Sequence, residues 1–204
     1  MAANRVDHVV TRGIFSIDGE DFEVDNNIWI VGDDTECLVI DAAHEAAPIV
    51  AGVAGRRVVA IVCTHGHNDH INAAAELADV VDAPIVIHGD DRMLWDVVYP
   101  SRAPDGTIAD GEKFHAGGVE LIAMHTPGHS PGGVSLHDPE HTRVFSGDTL
   151  FKGGPGATGR SFSDRDTIVA SMRTRLFALP PETVVHTGHG DDTRIADEAA
   201  ALTD

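Results

Sequence analysis

Two cysteines in 204 residues are too few for a disulfide framework. Cys37 and Cys63 both lie in apolar runs, where buried reduced thiols are the expected state, and this fits a reducing cytoplasm. Basic residues are also scarce. Fourteen Lys plus Arg stand against 33 Asp plus Glu, a formal net charge of −19, and Lys113 and Lys152 are the only lysines. A field of that sign repels phosphate backbones, which counts against nucleic acid and anionic membrane as main partners. No apolar run approaches the ~18 residues of a membrane-spanning helix. The opening MAANRVDHVV has no apolar signal segment. There is no long linker, low-complexity tract or internal repeat.

The 42% hydrophobic content rules out wholesale disorder. A chain of this length folds as one domain, here taken as residues 1–204, and buries about 70% of its surface. Short apolar or β-branched runs predict strands at Val6–Val10, Ile14–Ile17, Asn27–Val31, Cys37–Ile40, Val58–Cys63 and Ile85–His88. Further strands are expected at Val119–Met124, Gly133–Leu136, Arg143–Phe145 and Thr183–His186. Helices are expected over 44–54, 69–79, 90–98, 164–179 and 192–203, with a glycine-rich loop at Gly153–Gly159. Strands in both halves with helices between them define an α/β layered protein, with sheets inside and helices outside.

What the sequence has in excess is histidine, 13 in all, and several are placed with regularity. Val58–Cys63 leads into Thr64-His65-Gly66-His67-Asn68-Asp69-His70. Val119–Met124 leads to His125-Thr126-Pro127-Gly128-His129. Arg143–Phe145 leads to Ser146-Gly147-Asp148, and Thr183–Val185 to His186-Thr187-Gly188-His189. Four strands thus deliver a His or Asp at their carboxyl ends, the edge where α/β sheets bind ligands. Imidazole and carboxylate are the donors that Zn²⁺ and other first-row metals prefer. His65, His67, Asp69, His70, His129, Asp148 and His189 make seven candidates, too many for one four-coordinate ion and enough for two sharing a carboxylate. The other eight histidines, His125 and His186 included, are expected on the surface or behind the ligands.

The THGHNDH block resembles the HxHxDH signature of the metallo-β-lactamase fold superfamily. TPGHSPGG, SGDTLF and TGHG are similar to blocks of its glyoxalase II-like branch. The resemblance runs from about Asn26 to about Thr193. It implies a four-layer αββα sandwich of two mixed sheets, without the helical C-terminal domain of glyoxalase II enzymes. It implies that His65, His67 and His129 hold one metal, that Asp69, His70 and His189 hold the other, and that Asp148 bridges them. It gives Asp41, after an early strand, the role of orienting a ligand.

The expected activity is hydrolysis of a thioester such as a hydroxyacyl-thiol by a hydroxide bridging two divalent ions, with Asp69 and Asp148 as the catalytic carboxylates. Zn is the first expectation, with Fe or Mn as alternatives. A persulfide dioxygenase using one iron on His65, His129 and Asp148, and a lactonase, are the rival readings of the same fold. Lys152 or Arg160 is a candidate for a substrate carboxylate. Trp95 and Tyr99 suit core packing better than a pocket mouth. The expected partner is a small acyl substrate, with a homodimer as the default assembly.

Overall fold

A computed structural model describes residues 4–202. β1 (Arg5–Ile17) folds back on β2 (Glu20–Gly32), with Ile17 opposite Glu20 and Arg5 opposite Gly32. Asp18 and Gly19 form the connecting turn at φ 53° and 78°, the two positive values that suit the twist of a hairpin. The two short strands expected before residue 18 are therefore one. Gly13 does not break the ladder. It lies where a side chain would overlap the His44 ring, so its lack of Cβ serves packing and not a turn.

The first sheet continues through β3 (Glu36–Ile40), β4 (Arg57–Val62), β5 (Ile85–His88) and β6 (Gly106–Ile108). Its order is β1-β2-β3-β4-β5-β6, antiparallel as far as β3 and parallel beyond. Four helices belong to this half: α1 (Ala46–Val53), α2 (Asn68–Ile71), α3 (Ala74–Val81) and α4 (Arg92–Val98), the last preceded by a 3₁₀ turn at Gly89–Asp91. The helix expected over 69–79 is two. The chain stops coiling because the backbone of Ala42 bonds across the break, accepting from Ala73 N at 3.0 Å and donating to His70 O at 2.9 Å.

The second half adds β7 (Lys113–Ala116), β8 (Val119–His125), β9 (Val134–Asp138), β10 (Arg143–Gly147), the small β11 (Leu150–Phe151) and β12 (Gly154–Pro155) pair, β13 (Val184–Thr187) and β14 (Thr193–Arg194). The second sheet runs β14-β13-β10-β9-β8-β7, mixed through the parallel β10–β13 pair. α5 (Arg165–Ser171) and α6 (Ile195–Ala201) lie in this half. The helix expected over 164–179 widens after α5 into a π turn, Met172–Leu176, closed by Phe177 N on Met172 O at 2.8 Å.

Period-two alternation builds the layers. In β2, Ile28 and Ile30 face a core shared with Ile49 and Leu77 of α1 and α3, while Trp29 and Val31 face the second sheet. In β8, Val119, Leu121 and Ala123 enter the same inter-sheet core. Val144 of β10 and Val185 of β13 instead meet Ile168, Met172 and Ile195 on the far side. Three apolar cores separate helices, sheet, sheet and helices, the expected αββα sandwich. Trp95 is fully buried, and the Tyr99 hydroxyl donates to Ile71 O at 2.8 Å, so both serve the core. Among the described residues no helix is long and apolar enough to cross a membrane.

Candidate metal centre

β4 is buried along most of its length, so its end delivers Thr64 and His65 with little freedom. His67 then N-caps α2, whose single turn carries Asp69 and His70. His129 follows β8, Asp148 follows β10 and His189 follows β13. The structure brings all seven together, and six of them are buried. His65, His67 and His129 form one group with a donor atom each within 4.8 Å, and Asp69, His70 and His189 form another. Asp148 reaches both. Its Oδ2 lies 3.4 Å from His129 Nε2 and 3.5 Å from His189 Nε2, and its Oδ1 lies 3.3 Å from His70 Nε2.

The donors fit a cation. Of the buried side-chain polar atoms that lack a hydrogen-bond partner among the described residues, four belong here: His65 Nε2, His67 Nε2, Asp69 Oδ1 and Asp148 Oδ1. Such orphans are costly unless something occupies the space between them. Ring nitrogens also face each other, His67 Nδ1 to His129 Nε2 at 3.0 Å and His70 Nε2 to His189 Nε2 at 3.2 Å. Lone pairs in that arrangement need a shared proton or a metal. Gly188 permits the convergence, since a Cβ there would overlap Asp148 Oδ1.

Nitrogens on the far side of four rings are anchored. His70 Nδ1 pairs with Asp41 Oδ2 at 2.8 Å and His65 Nδ1 with Thr64 Oγ1 at 3.1 Å. His129 Nδ1 donates to Ala157 O at 2.8 Å, and His189 Nδ1 to Asp25 O at 2.7 Å. A donor bond from Nδ1 leaves Nε2 bare and aimed inward, the usual support of a ligating imidazole. Asp41, at φ 61°, also accepts from Thr64 N at 2.7 Å and so ties the end of β3 to the loop after β4.

Charge divides the centre. Burial pushes His65 well below the usual imidazole range and His67 down to about 3. Burial also opposes charge on His70 and His189, but Asp148 and Asp69 outweigh it. His70 is held well above its ordinary value and His189 is carried up to about 10. Asp148, though buried, is held well below the carboxylate range by His189 and His70.

Three residues support the ligands; Asn26 and Asp91 escape a sequence reading, while His44 is one of the histidines expected on the surface or behind the ligands. Asn26 of β2 donates Nδ2 to Asp69 Oδ2 at 3.1 Å, and its Oδ1 accepts from His44 Nε2 at 2.8 Å. His44 thus stands behind the ligands. The third is Asp91, fully buried in the 3₁₀ turn, which accepts from Gly66 N at 2.8 Å, Ser130 Oγ at 2.7 Å and Gly132 N at 2.6 Å. It clamps the His65–His67 loop to the His129 loop. A polar pair inside an apolar strand was the available signal for Asn26. Asp91 had none, because its partners are remote in sequence.

Lys152 and Arg160 are otherwise engaged. Lys152 pairs with exposed Asp191 at 3.0 Å. Arg160 pairs with Glu20 and stands over Phe22, 5.5 Å from the ring centroid. No hydrogen bond or ion pair joins either to the seven among the described residues. The glycine-rich loop acts instead through the Ala157 carbonyl on His129. Beside His67 a crevice of about 190 Å³ opens, lined in part by Ile17, Leu94, Val97 and Phe162.

A four-layer sandwich with a His/Asp cluster at the carboxyl edge of its strands defines a metal-binding protein of the metallo-hydrolase class. The model of the metallo-beta-lactamase superfamily matches residues 22–189, and the chain belongs to that superfamily. It is similar to the probable metallo-hydrolase YqgX of Bacillus subtilis, 32% identical over 187 residues, 85% of this chain and 88% of that one. It is similar to the hydroxyacylglutathione hydrolase GloC of Haemophilus influenzae, 29% identical over 84% of this chain and 87% of that one. Among solved structures, TTHA1623 in a di-iron-bound form superposes with a TM-score of 0.79 at 32% identity, covering 92% of this chain and 97% of that one.

Proposed function

We propose that the protein is a binuclear metal hydrolase that cleaves a thioester, with a hydroxyacyl-thiol as the substrate class. The observation that carries this reading is Asp148 lying within 3.5 Å of imidazoles from both groups, which supports two adjoining ion positions. His65, His67 and His129 would hold one ion, and Asp69, His70 and His189 the other. When bound, the ions would acidify a water and polarise the acyl carbonyl. The chain's own residues do the rest. Asn26 fixes Asp69 Oδ2 and so orients this carboxylate, which would relay a proton from the attacking water besides helping to hold an ion. The departing thiolate, with a pKa near 8.5, needs no general acid. The crevice beside His67 accommodates the acyl or thiol portion. Similarity to a hydroxyacylglutathione hydrolase supports the thioester, and the di-iron relative keeps iron beside zinc as the native metal. Two free, buried thiols suit a reducing cytoplasm.

The test is metal content by elemental mass spectrometry on protein purified without chelator, with thioester, lactone and persulfide substrates assayed on the same preparation. Two ions per chain with release of free thiol from hydroxyacyl thioesters is the expected result. One iron per chain with oxygen consumption on a persulfide overturns it in favour of a dioxygenase. Cleavage of lactones but not thioesters overturns the substrate class.

A further inference from the structure

We propose that His44 is a positioning residue for the metal centre: it decides which end of the Asn26 amide faces Asp69, an inference that rests on the binuclear reading. The two ends of an amide match in shape and differ in chemistry. The NH₂ donates to a carboxylate, whereas the oxygen repels one and can itself bind a cation. Asn26 is buried on β2. Its Nδ2 lies 3.1 Å from Asp69 Oδ2, 3.2 Å from His70 Nε2 and 3.5 Å from His189 Nε2. Every member of the second group thus meets the same end of this side chain.

A backbone group outside the centre fixes which end that is. His44 N can only donate, and it donates to Asn72 Oδ1. That turns Asn72 Nδ2 towards His44 Nδ1, 3.2 Å away, so Nδ1 is an acceptor. A neutral ring with a bare Nδ1 carries its proton on Nε2, and Nε2 lies 2.8 Å from Asn26 Oδ1. The oxygen is thereby held away from the centre, and Nδ2 is left for Asp69. The order of donors and acceptors runs unbroken from the His44 backbone to the carboxylate.

The ring is seated to keep that order. A Cβ at Gly13 would fall 2.2 Å from His44 Nδ1, so only a glycine lets β1 pack this close. Burial lowers the pKa of His44, which suits the neutral ring that the order requires. Asp69 then always meets a donor, which holds its carboxylate in one orientation, and Asn26 stays out of the ligand set.

Two measurements test this. In the metal-free protein, nitrogen NMR shifts of the His44 ring read its tautomer, whatever number of ions the centre holds. The Nε2–H form is expected, and the Nδ1–H form overturns the proposal. Zn²⁺ affinity, read by competition with a chromophoric chelator, reports the consequence. His44→Leu keeps the bulk and loses the donor, and binding weaker by about tenfold is expected. His44→Gln carries an N–H at a reach similar to that of Nε2, and is expected to recover most of that loss. Adding His44→Leu to Asn26→Ala is expected to cost nothing more, because both act through one hydrogen bond. Wild-type affinity in His44→Leu, no recovery in His44→Gln, or a further loss in the double variant overturns the proposal. One ion per wild-type chain removes the second ion and with it this role of His44. That failure of the binuclear reading is told apart because the tautomer then stays as expected.

Discussion

His67 and His189 flank the same carboxylate and carry the same side chain, yet their protons behave in opposite ways. Burial drives His67 down to about 3. Burial also works on His189, but Asp148 and Asp69 override it and carry the ring up to about 10. The contrast extends to their neighbours, with His65 lowered and His70 raised. Histidine count does not set the charge of such a centre; the placement of carboxylates does. His65 and His67, delivered by the end of β4, are held in the neutral form before any metal arrives. The group built on α2 and the loop after β13 holds protons where a cation would sit.

The most severe way to break this comparison is to remove what the two groups share. Asp148→Ala is expected to lose metal and activity together by more than about 100-fold, beyond the range of outer-shell changes, and His67→Ala likewise. Retention of full activity in either purified variant would sink the ligand assignment. A milder cut separates the groups. Asp41→Asn weakens support for His70, and Asp91→Asn loosens the loops carrying His65, His67 and His129. Each is expected to lower metal affinity by about 10–100-fold, read by competition with a chromophoric chelator.

Metal loading at neutral pH sharpens the contrast. Protons are expected to leave His70 and His189 and none to leave His65 and His67. Calorimetry in buffers of different ionisation enthalpy counts them; zero net release would refute the division of charge. The metal-free protein tests the same point through stability. Raised His70 and His189 contribute stability that is whole below the ordinary value of 6.5 and is lost as pH climbs, for His189 towards about 10. Lowered His65 and His67 act in the other direction, and stability falls as pH drops below 6.5, for His67 towards about 3. A stability maximum between those limits, with loss on both sides in urea titrations, is expected. The smallest effect belongs to Arg160→Ala. Its pair with Glu20 is exposed, so the stability change is expected to stay under about 1 kcal/mol. A large rise in KM with kcat unchanged would identify Arg160 as a substrate anchor.

The ligands were legible because each follows an apolar strand at the edge where such sheets bind, and His and Asp are rare after four strands by chance. The layers were legible for a related reason, since alternation in residues 28–31 and the continuous run at 58–63 report burial directly. The long hairpin was not. Its outer half, Glu20-Asp21-Phe22-Glu23, is polar and exposed, although Asp18-Gly19 carries the turn chemistry. The break in the 69–79 helix was invisible because Ala42, which competes for its backbone, lies in another segment. Asp91 shares that fate, as a residue defined by remote partners and not by its own spacing.

The bond from His189 Nδ1 to the carbonyl of Asp25 spans 164 positions. Close by, Asn27 N donates to Gly188 O at 2.8 Å, so the first and last strands around the centre are sewn together at one point. During synthesis the early strands therefore emerge without the residue that completes the second group. Pairings this distant form late and slowly. A half-made chain presents His65, His67, Asp69 and His70 alone, and the full set of seven donors exists only once His189 has been synthesised and has met Asp25.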